Sequence, residues 1–221
     1  MVSDEKSKAT AAVKRSYDRF AHLYDFFEKN SGRFRIWRDM VWSRVEGPDS
    51  SNSNGASCRR ILEVGVGTGG NFPYYPRGRE VTGFDVSEKM MGRAIEKAAG
   101  TPVEGRLLLM DAQHLGFADN SFDAVVASLV FCTVPDPVLG LKEINRVVKP
   151  DGKVVLLEHV LSANIYLGLL MQAVNPFTRR VFGENFNRKT VENVTASGLL
   201  IERVTDAGWG IFKLIEARKG G

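Results

Sequence analysis

The apolar positions of this chain change their period along its length. Over residues 5–29, Ala12, Val13, Tyr17, Phe20, Ala21, Tyr24 and Phe27 recur mostly three or four positions apart, the spacing of one helix face. A second stretch, 33–46, sets Phe34, Ile36, Trp37, Met40, Val41 and Val45 among Arg33, Arg35, Arg38 and Arg44 and predicts another amphipathic helix. Residues 47–55 contain only Gly, Pro, Asp, Ser and Asn, the composition of a flexible connector. From residue 59 short apolar runs alternate with helix-period segments. Strands are expected at 59–64, 80–85, 105–109, 122–127 and 153–158. Helices are expected at 87–99, with Ser87 as N-cap, and at 137–148, with Pro137 near its first turn and Pro150-Asp151-Gly152 as the turn out. Such β–α alternation calls for a parallel sheet with helices on both faces. An apolar stretch at 160–182 and a hairpin of strands near 199–205 and 209–217 complete the pattern. The expected organisation is a helical cap over 1–46, a linker over 47–58 and an α/β core over 59–221, with an insertion at about 160–190.

Composition narrows this only a little. With 221 residues, 43% hydrophobic and 25% charged, the chain suits one globular domain with a real core. Cys58 and Cys132 lie far apart and His22, His114 and His159 do not cluster, so no metal site or disulfide framework is expected. No signal-peptide pattern and no run of transmembrane length is found, which makes a cytoplasmic location the expectation. The formal charge of +4 is mild. Its basic residues are not interleaved with aromatics along one stripe and no recognition motif is present, so a nucleic-acid partner is not expected.

The chemistry is concentrated at Ile61-Leu62-Glu63-Val64-Gly65-Val66-Gly67-Thr68-Gly69-Gly70, an apolar strand running into a glycine-rich turn. In an open α/β sheet such a turn lies at the carboxyl end of the strand, where ligands bind. Gly65, Gly67 and Gly70 satisfy the dinucleotide pattern G-x-G-x-x-G, while Gly65, Gly67 and Gly69 after Glu63 satisfy E-x-G-x-G-x-G. Glu63 tips the balance. A carboxylate beside the turn repels a pyrophosphate but suits a ligand with an ammonium and a sulfonium, as in S-adenosylmethionine (AdoMet). Asp85 ends the second strand and suits ribose hydroxyls of either ligand, and Met90 suits packing against an adenine.

Further motifs follow in order: Phe84-Asp85-Val86-Ser87, Met110-Asp111-Ala112, Ser121-Phe122-Asp123-Ala124-Val125 and Arg146-Val147-Val148-Lys149-Pro150-Asp151-Gly152. With the glycine turn they make the chain resemble the class I AdoMet-dependent methyltransferases, from about residue 14 to 217. The resemblance implies a Rossmann-like, seven-stranded, mostly parallel sheet with an antiparallel last strand. It implies that Glu63, Gly65 and Gly67 contact the methionine part of AdoMet, with Asn71 adding a polar contact. Asp85 would take the ribose, Val86 and Met90 would flank the adenine, and Asp111, Ala112 and Gln113 would reach its polar edge. Ser128 and Leu129 would form the floor under the methionine moiety.

Within that family, Arg15-Ser16-Tyr17 and Leu23-Tyr24-Asp25 resemble the amino-terminal signature of quinone C-methyltransferases and bacterial phospholipid N-methyltransferases. The glycine turn followed by Phe72-Pro73-Tyr74-Tyr75 is similar to the phospholipid group. Val130-Phe131-Cys132-Thr133-Val134 and Glu158-His159-Val160 resemble the membrane-associated thiol methyltransferases. The expected reaction is methyl transfer to an amphipathic acceptor, foremost the amine of a phosphatidylethanolamine-type lipid. The alternatives are S- or C-methylation of a small thiol or quinone, and a non-catalytic nucleotide-binding module. His159, Tyr17 and Tyr24 are the candidate catalytic residues, with Tyr24 also a cofactor contact. Arg179, Arg180, Arg188 and Lys189 would suit a phosphate or the surface of an anionic membrane. The sequence does not indicate an oligomeric state.

Overall fold

A computed structural model describes residues 8–19, 21–22, 32–46, 60–101, 105–162, 164–181, 188–208 and 210–221. The connector at 47–58, Tyr24 and Trp209 lie outside them, and so do the side chains of Arg179 and Arg180. Helix α1 runs over 8–19 and is helical again at 21–22. The elements that follow are α2 (Gly32–Glu46), β1 (Arg60–Val64), a 3₁₀ turn (Phe72–Tyr74), β2 (Glu80–Asp85), α3 (Glu88–Ala98), β3 (Gly105–Leu109), β4 (Phe122–Ser128), α4 (Pro137–Val147), β5 (Val148–His159), α5 (Ile165–Val181), α6 (Thr190–Ala196), β6 (Leu200–Gly208) and β7 (Phe212–Arg218).

The seven strands form one sheet in the order β3-β2-β1-β4-β5-β7-β6. Pairing is parallel from β3 to β5, and β7 inserts antiparallel between β5 and β6. The strand order reverses between β1 and β4, which leaves a crevice beyond their carboxyl ends.

Side chains alternate between two cores, as the pleat requires. Leu62, Val125, Ala127, Val154, Leu156 and Ile215 face α4 and α6. Ile61, Ala124, Val126, Val155, Leu157 and Leu214 face α2. Helix α2 adheres because Trp37, Val41, Trp42 and Val45 share one face and are all buried. At about 1.5–3 kcal/mol for each large side chain taken out of water, this face fixes the helix to the sheet.

Several local expectations hold. Ser87 caps α3 by accepting from the Met90 backbone N–H at 3.1 Å, and Pro137 opens α4; the cap of α4, Asp136, which accepts from Leu139 N at 3.0 Å, is seen only in the structure. One differs. Pro150-Asp151-Gly152 is not a turn before β5 but lies within it. Phe122 pairs with Val148 and Ala124 with Lys153, so residues 149–152 bulge opposite Asp123. The Asp123 carboxylate accepts from Lys149 Nζ at 2.5 Å and from the Arg60 backbone N–H at 2.8 Å. That anchor lets the strand continue through a sequence that reads as a break.

Candidate active site

The crevice above β1, β2 and β4 holds two cavities that share Gly65, Gly67, Ser128 and Leu129. The larger, about 680 Å³ with its open mouth, is lined by Phe84, Asp85, Val86, Met90, Met110, Asp111 and Ala112 on the β2–β3 side. Val130, Thr133, Val134 and Pro135 close it after β4, and Thr10, Val13 and Tyr17 of α1 cover it. The smaller, about 490 Å³, lies between the glycine turn and Phe34, Trp37 and Arg38 of α2.

The backbone of the turn leaves room for a ligand to approach it. Gly65 has φ +71° and Gly67 φ +55°, the left-handed region that glycine enters without penalty. A Cβ on Gly65 would stand 2.5 Å from Val130 Cγ2, whereas one on Gly67 would meet nothing within 4 Å and project into open space. Leu129 is also left-handed, at φ +59°, a strained conformation for a non-glycine residue. Its N–H donates to Leu157 O at 2.8 Å, which holds it in the wall between the cavities.

Asp85 sits at the end of β2. One carboxylate oxygen accepts from Gly67 N at 3.0 Å and the other from Ser87 N at 2.8 Å. Burial raises its pKa above the ordinary carboxylate value, against the lowering effect of those backbone donors. Asp111 accepts from Gln113 N and the Gln113 side-chain amide at 2.9 and 3.1 Å, and from Thr10 Oγ1 at 3.2 Å. Gln113 does not itself line the cavity. Its amide braces Asp111 and accepts from Asp136 N at 3.1 Å.

Helix α1 is strapped across this half by polar contacts at several points along its length. Thr10 holds Asp111, Ser87 Oγ donates to Asp18 at 2.6 Å, and Lys14 pairs with Glu88 at 2.6 Å. Tyr17 is thereby placed on the cavity wall.

Glu63 lines neither cavity. It is 1% exposed and lies one layer behind the glycine turn. Asn71 Nδ2 donates to one of its oxygens at 2.5 Å and the Tyr75 hydroxyl donates to the other. Burial, and then the charge of Glu63, keep Tyr75 protonated well above its ordinary pKa. Asn71 Oδ1 in turn accepts from Arg38 Nε at 2.9 Å. A guanidinium only donates and a carboxylate only accepts, so the amide of Asn71 has one orientation available. Asn71 and Arg38 reach the smaller cavity and Glu63 supports them.

His159 and Glu158, adjacent at the end of β5, emerge on opposite faces. The His159 ring packs edge-on against Phe212 at 5.1 Å, Phe212 against Trp37 at 4.4 Å, and Trp37 against Phe34 at 5.6 Å. His159 therefore stands behind the aromatic wall of the smaller cavity and does not line it. Glu158 is fully buried on the other face, accepting from Val130 N at 3.0 Å and Phe131 N at 3.1 Å. Burial raises its pKa to about 7 despite those bonds and the nearby positive charge of Arg188. Sequence reasoning missed Arg38, Thr10, Asp18 and Glu158 as parts of the site. A basic residue inside the apolar face of α2 was the one available signal for Arg38. Among the described residues, no group of three or more His, Cys, Asp and Glu could hold a metal ion, and no helix is long and apolar enough to cross a membrane.

AdoMet fits this geometry. The larger cavity offers apolar walls and two carboxylates for a nucleoside, and the second cavity, across open space at Gly67, offers a cation and an amide for an amino-acid end. A family described as a methyltransferase domain matches residues 62–156. Phosphatidylethanolamine N-methyltransferase of Cereibacter sphaeroides is 33% identical over 216 residues, 94% of this chain and 98% of that protein. A demethylmenaquinone methyltransferase of Staphylococcus aureus is 36% identical over 66% of this chain and 56% of its own length. Among solved structures, phosphoethanolamine N-methyltransferase 2 of Haemonchus contortus in complex with S-adenosyl-L-methionine superposes with a TM-score of 0.66 at 17% identity, covering 84% of this chain and 53% of that one. Sheet order, crevice and relatives agree, and the chain belongs to the S-adenosylmethionine-dependent methyltransferases.

Proposed function

We propose that this methyltransferase acts on the amine of a phosphatidylethanolamine-type phospholipid. The near end-to-end similarity to the Cereibacter sphaeroides enzyme carries the reading, because it extends over the amino-terminal helices and the 160–190 segment where the acceptor would lie. The surface of α5 supports it. Ile165, Tyr166, Leu169, Leu170 and Val174 are 40–81% exposed and spaced to share a side of the helix. Arg179 and Arg180 follow in its last turn and Lys189 precedes α6, whereas Arg188 turns inward and donates to Val134 O at 2.8 Å. An apolar stripe with basic residues at one end suits peripheral contact with an anionic membrane.

When bound, AdoMet supplies an electrophilic methyl group. The protein has to orient the acceptor, exclude water and receive a proton. In this reading the cap over 1–46 is the lid, joined through 47–58 to the core. Asp85, Asp111, Ala112, Val86 and Met90 hold the nucleoside, while Gly65, Gly67, Asn71, Ser128 and Leu129 hold the methionine end, with Glu63 and Gln113 behind them. Tyr17 orients the amine from the cavity wall. His159, one layer back, tunes the aromatic wall in place of touching the acceptor.

The test is mass spectrometry of ethanolamine-phospholipid vesicles, a small thiol and a quinol, each incubated with the protein and methyl-labelled AdoMet. Label in the lipid amine supports the proposal. Label in the thiol or quinol alone replaces it with S- or C-methylation. A protein that binds AdoMet and labels none of them refutes the phospholipid reading and the thiol and quinone alternatives together. The double variant Leu169→Glu/Leu170→Glu should lose vesicle methylation while keeping AdoMet affinity.

A further inference from the structure

We infer that Arg38, on the amino-terminal helix α2, clamps the carboxylate of the methionine end of AdoMet, so that this helix completes the cofactor site of the sheet. Charge is divided between the two cavities. The larger has Asp85 and Asp111 and no cation among its described lining residues. The smaller has Arg38 as the one charged side chain among the described residues that line it. The two meet at Gly65, Gly67, Ser128 and Leu129, so one elongated ligand can occupy both. A ligand with hydroxyl and amino donors at one end and a carboxylate at the other has a single complementary direction in this crevice. Its nucleoside lies toward the aspartates and its carboxylate toward Arg38.

Arg38 is held for this task. Its Nε donates to Asn71 Oδ1 at 2.9 Å, and its guanidinium lies 5.6 Å over the Phe34 ring. Asn71 is fixed by Glu63, and Glu63 by Tyr75. Helix α2 is itself fixed by Trp37, whose indole N–H donates to Ala207 O at 3.0 Å. The chain of contacts gives Glu63 a part different from direct contact with the ammonium. It orients the amide that orients the clamp.

Two ligands separate this role from a merely structural tie between α2 and the glycine turn. S-adenosylhomocysteine has the amino-acid end, and 5′-methylthioadenosine has the nucleoside and sulfur without it. Calorimetric titration of Arg38→Met should show S-adenosylhomocysteine weakened roughly ten- to a hundredfold, the range for a charge-assisted pair. 5′-Methylthioadenosine should stay within about twofold, because it makes no contact that the substitution removes. Arg38→Lys, which keeps the charge and loses the planar fork, should fall between. Equal weakening of both ligands would make Arg38 a structural tie only, and unchanged affinity for both would place the carboxylate elsewhere. Either result overturns the inference. If Arg38→Met does not fold, the unchanged protein still tests it: the carboxamide of S-adenosylhomocysteine should bind at least tenfold more weakly than the acid, and equal binding refutes the clamp.

Discussion

Replacing Glu158 by glutamine should make the protein more stable at neutral pH, and the gain should vanish in acid. The carboxylate is fully buried, and burial raises its pKa from the ordinary 4.5 to about 7. The native state therefore binds this proton more tightly than the unfolded chain does. Between about pH 4.5 and 7 the native protein keeps the proton that the unfolded chain has lost, so stability falls as pH rises through that window. Below it the penalty is absent and above it complete. The shift corresponds to about 3 kcal/mol at pH 8. The amide of Glu158→Gln would still present an oxygen to the Val130 and Phe131 N–H groups, and it carries no charge at any pH. The assay is urea or thermal unfolding of both proteins at constant ionic strength from pH 4.5 to 8. The difference in favour of the variant should grow by about 3 kcal/mol across the range, or about 6–12 °C in Tm for a domain of this size. Asp85 is also raised by burial, but it is common to both proteins and cancels in the difference. A pH-independent difference would refute the argument. A wild-type protein that gains on the variant as pH rises would show that the positive charge of Arg188 outweighs desolvation.

Asp85→Asn should weaken S-adenosylhomocysteine and 5′-methylthioadenosine alike, by roughly tenfold or more, since both carry the ribose and the loss of charge removes a charge-assisted acceptor; calorimetry on the two ligands checks it, and undiminished affinity would remove Asp85 from the site. Gly67→Ala should cost about 1–2 kcal/mol through its left-handed backbone and also impair ligand binding. Gly92→Ala, in α3 where an added Cβ meets nothing within 4 Å, should be neutral or stabilising by up to about 1 kcal/mol, and paired melting curves read both changes.

Residues 60–101 were legible because their information is local. The apolar run of β1, the glycines that turn it, Asp85 ending β2 and Ser87 capping α3 each follow from period, backbone freedom and capping chemistry within a few residues. The β–α alternation then leaves a doubly wound sheet as the arrangement that covers both faces of the strands. The same logic reads the hairpin that ends the chain, where β6 and β7 pair antiparallel.

Long-range packing decided the rest. The sequence reads Glu63 as a ligand contact, but its orientation depends on Asn71 and Tyr75, brought under the turn by the 3₁₀ segment. The face of β5 to which Glu158 or His159 belongs becomes chemically meaningful only once α2 and the loop after β4 occupy opposite sides of the sheet. Pro150-Asp151-Gly152 reads as a break until Asp123, from the neighbouring strand, anchors the bulge. Arg38 is one of several arginines on an amphipathic helix, and only the docking of Trp37, Val41 and Trp42 on the sheet carries it to the glycine turn. Local sequence thus determined where the backbone can turn and which side chains share a face. The tertiary structure determined which distant charges meet, because a buried carboxylate or guanidinium takes its role from partners far away along the chain.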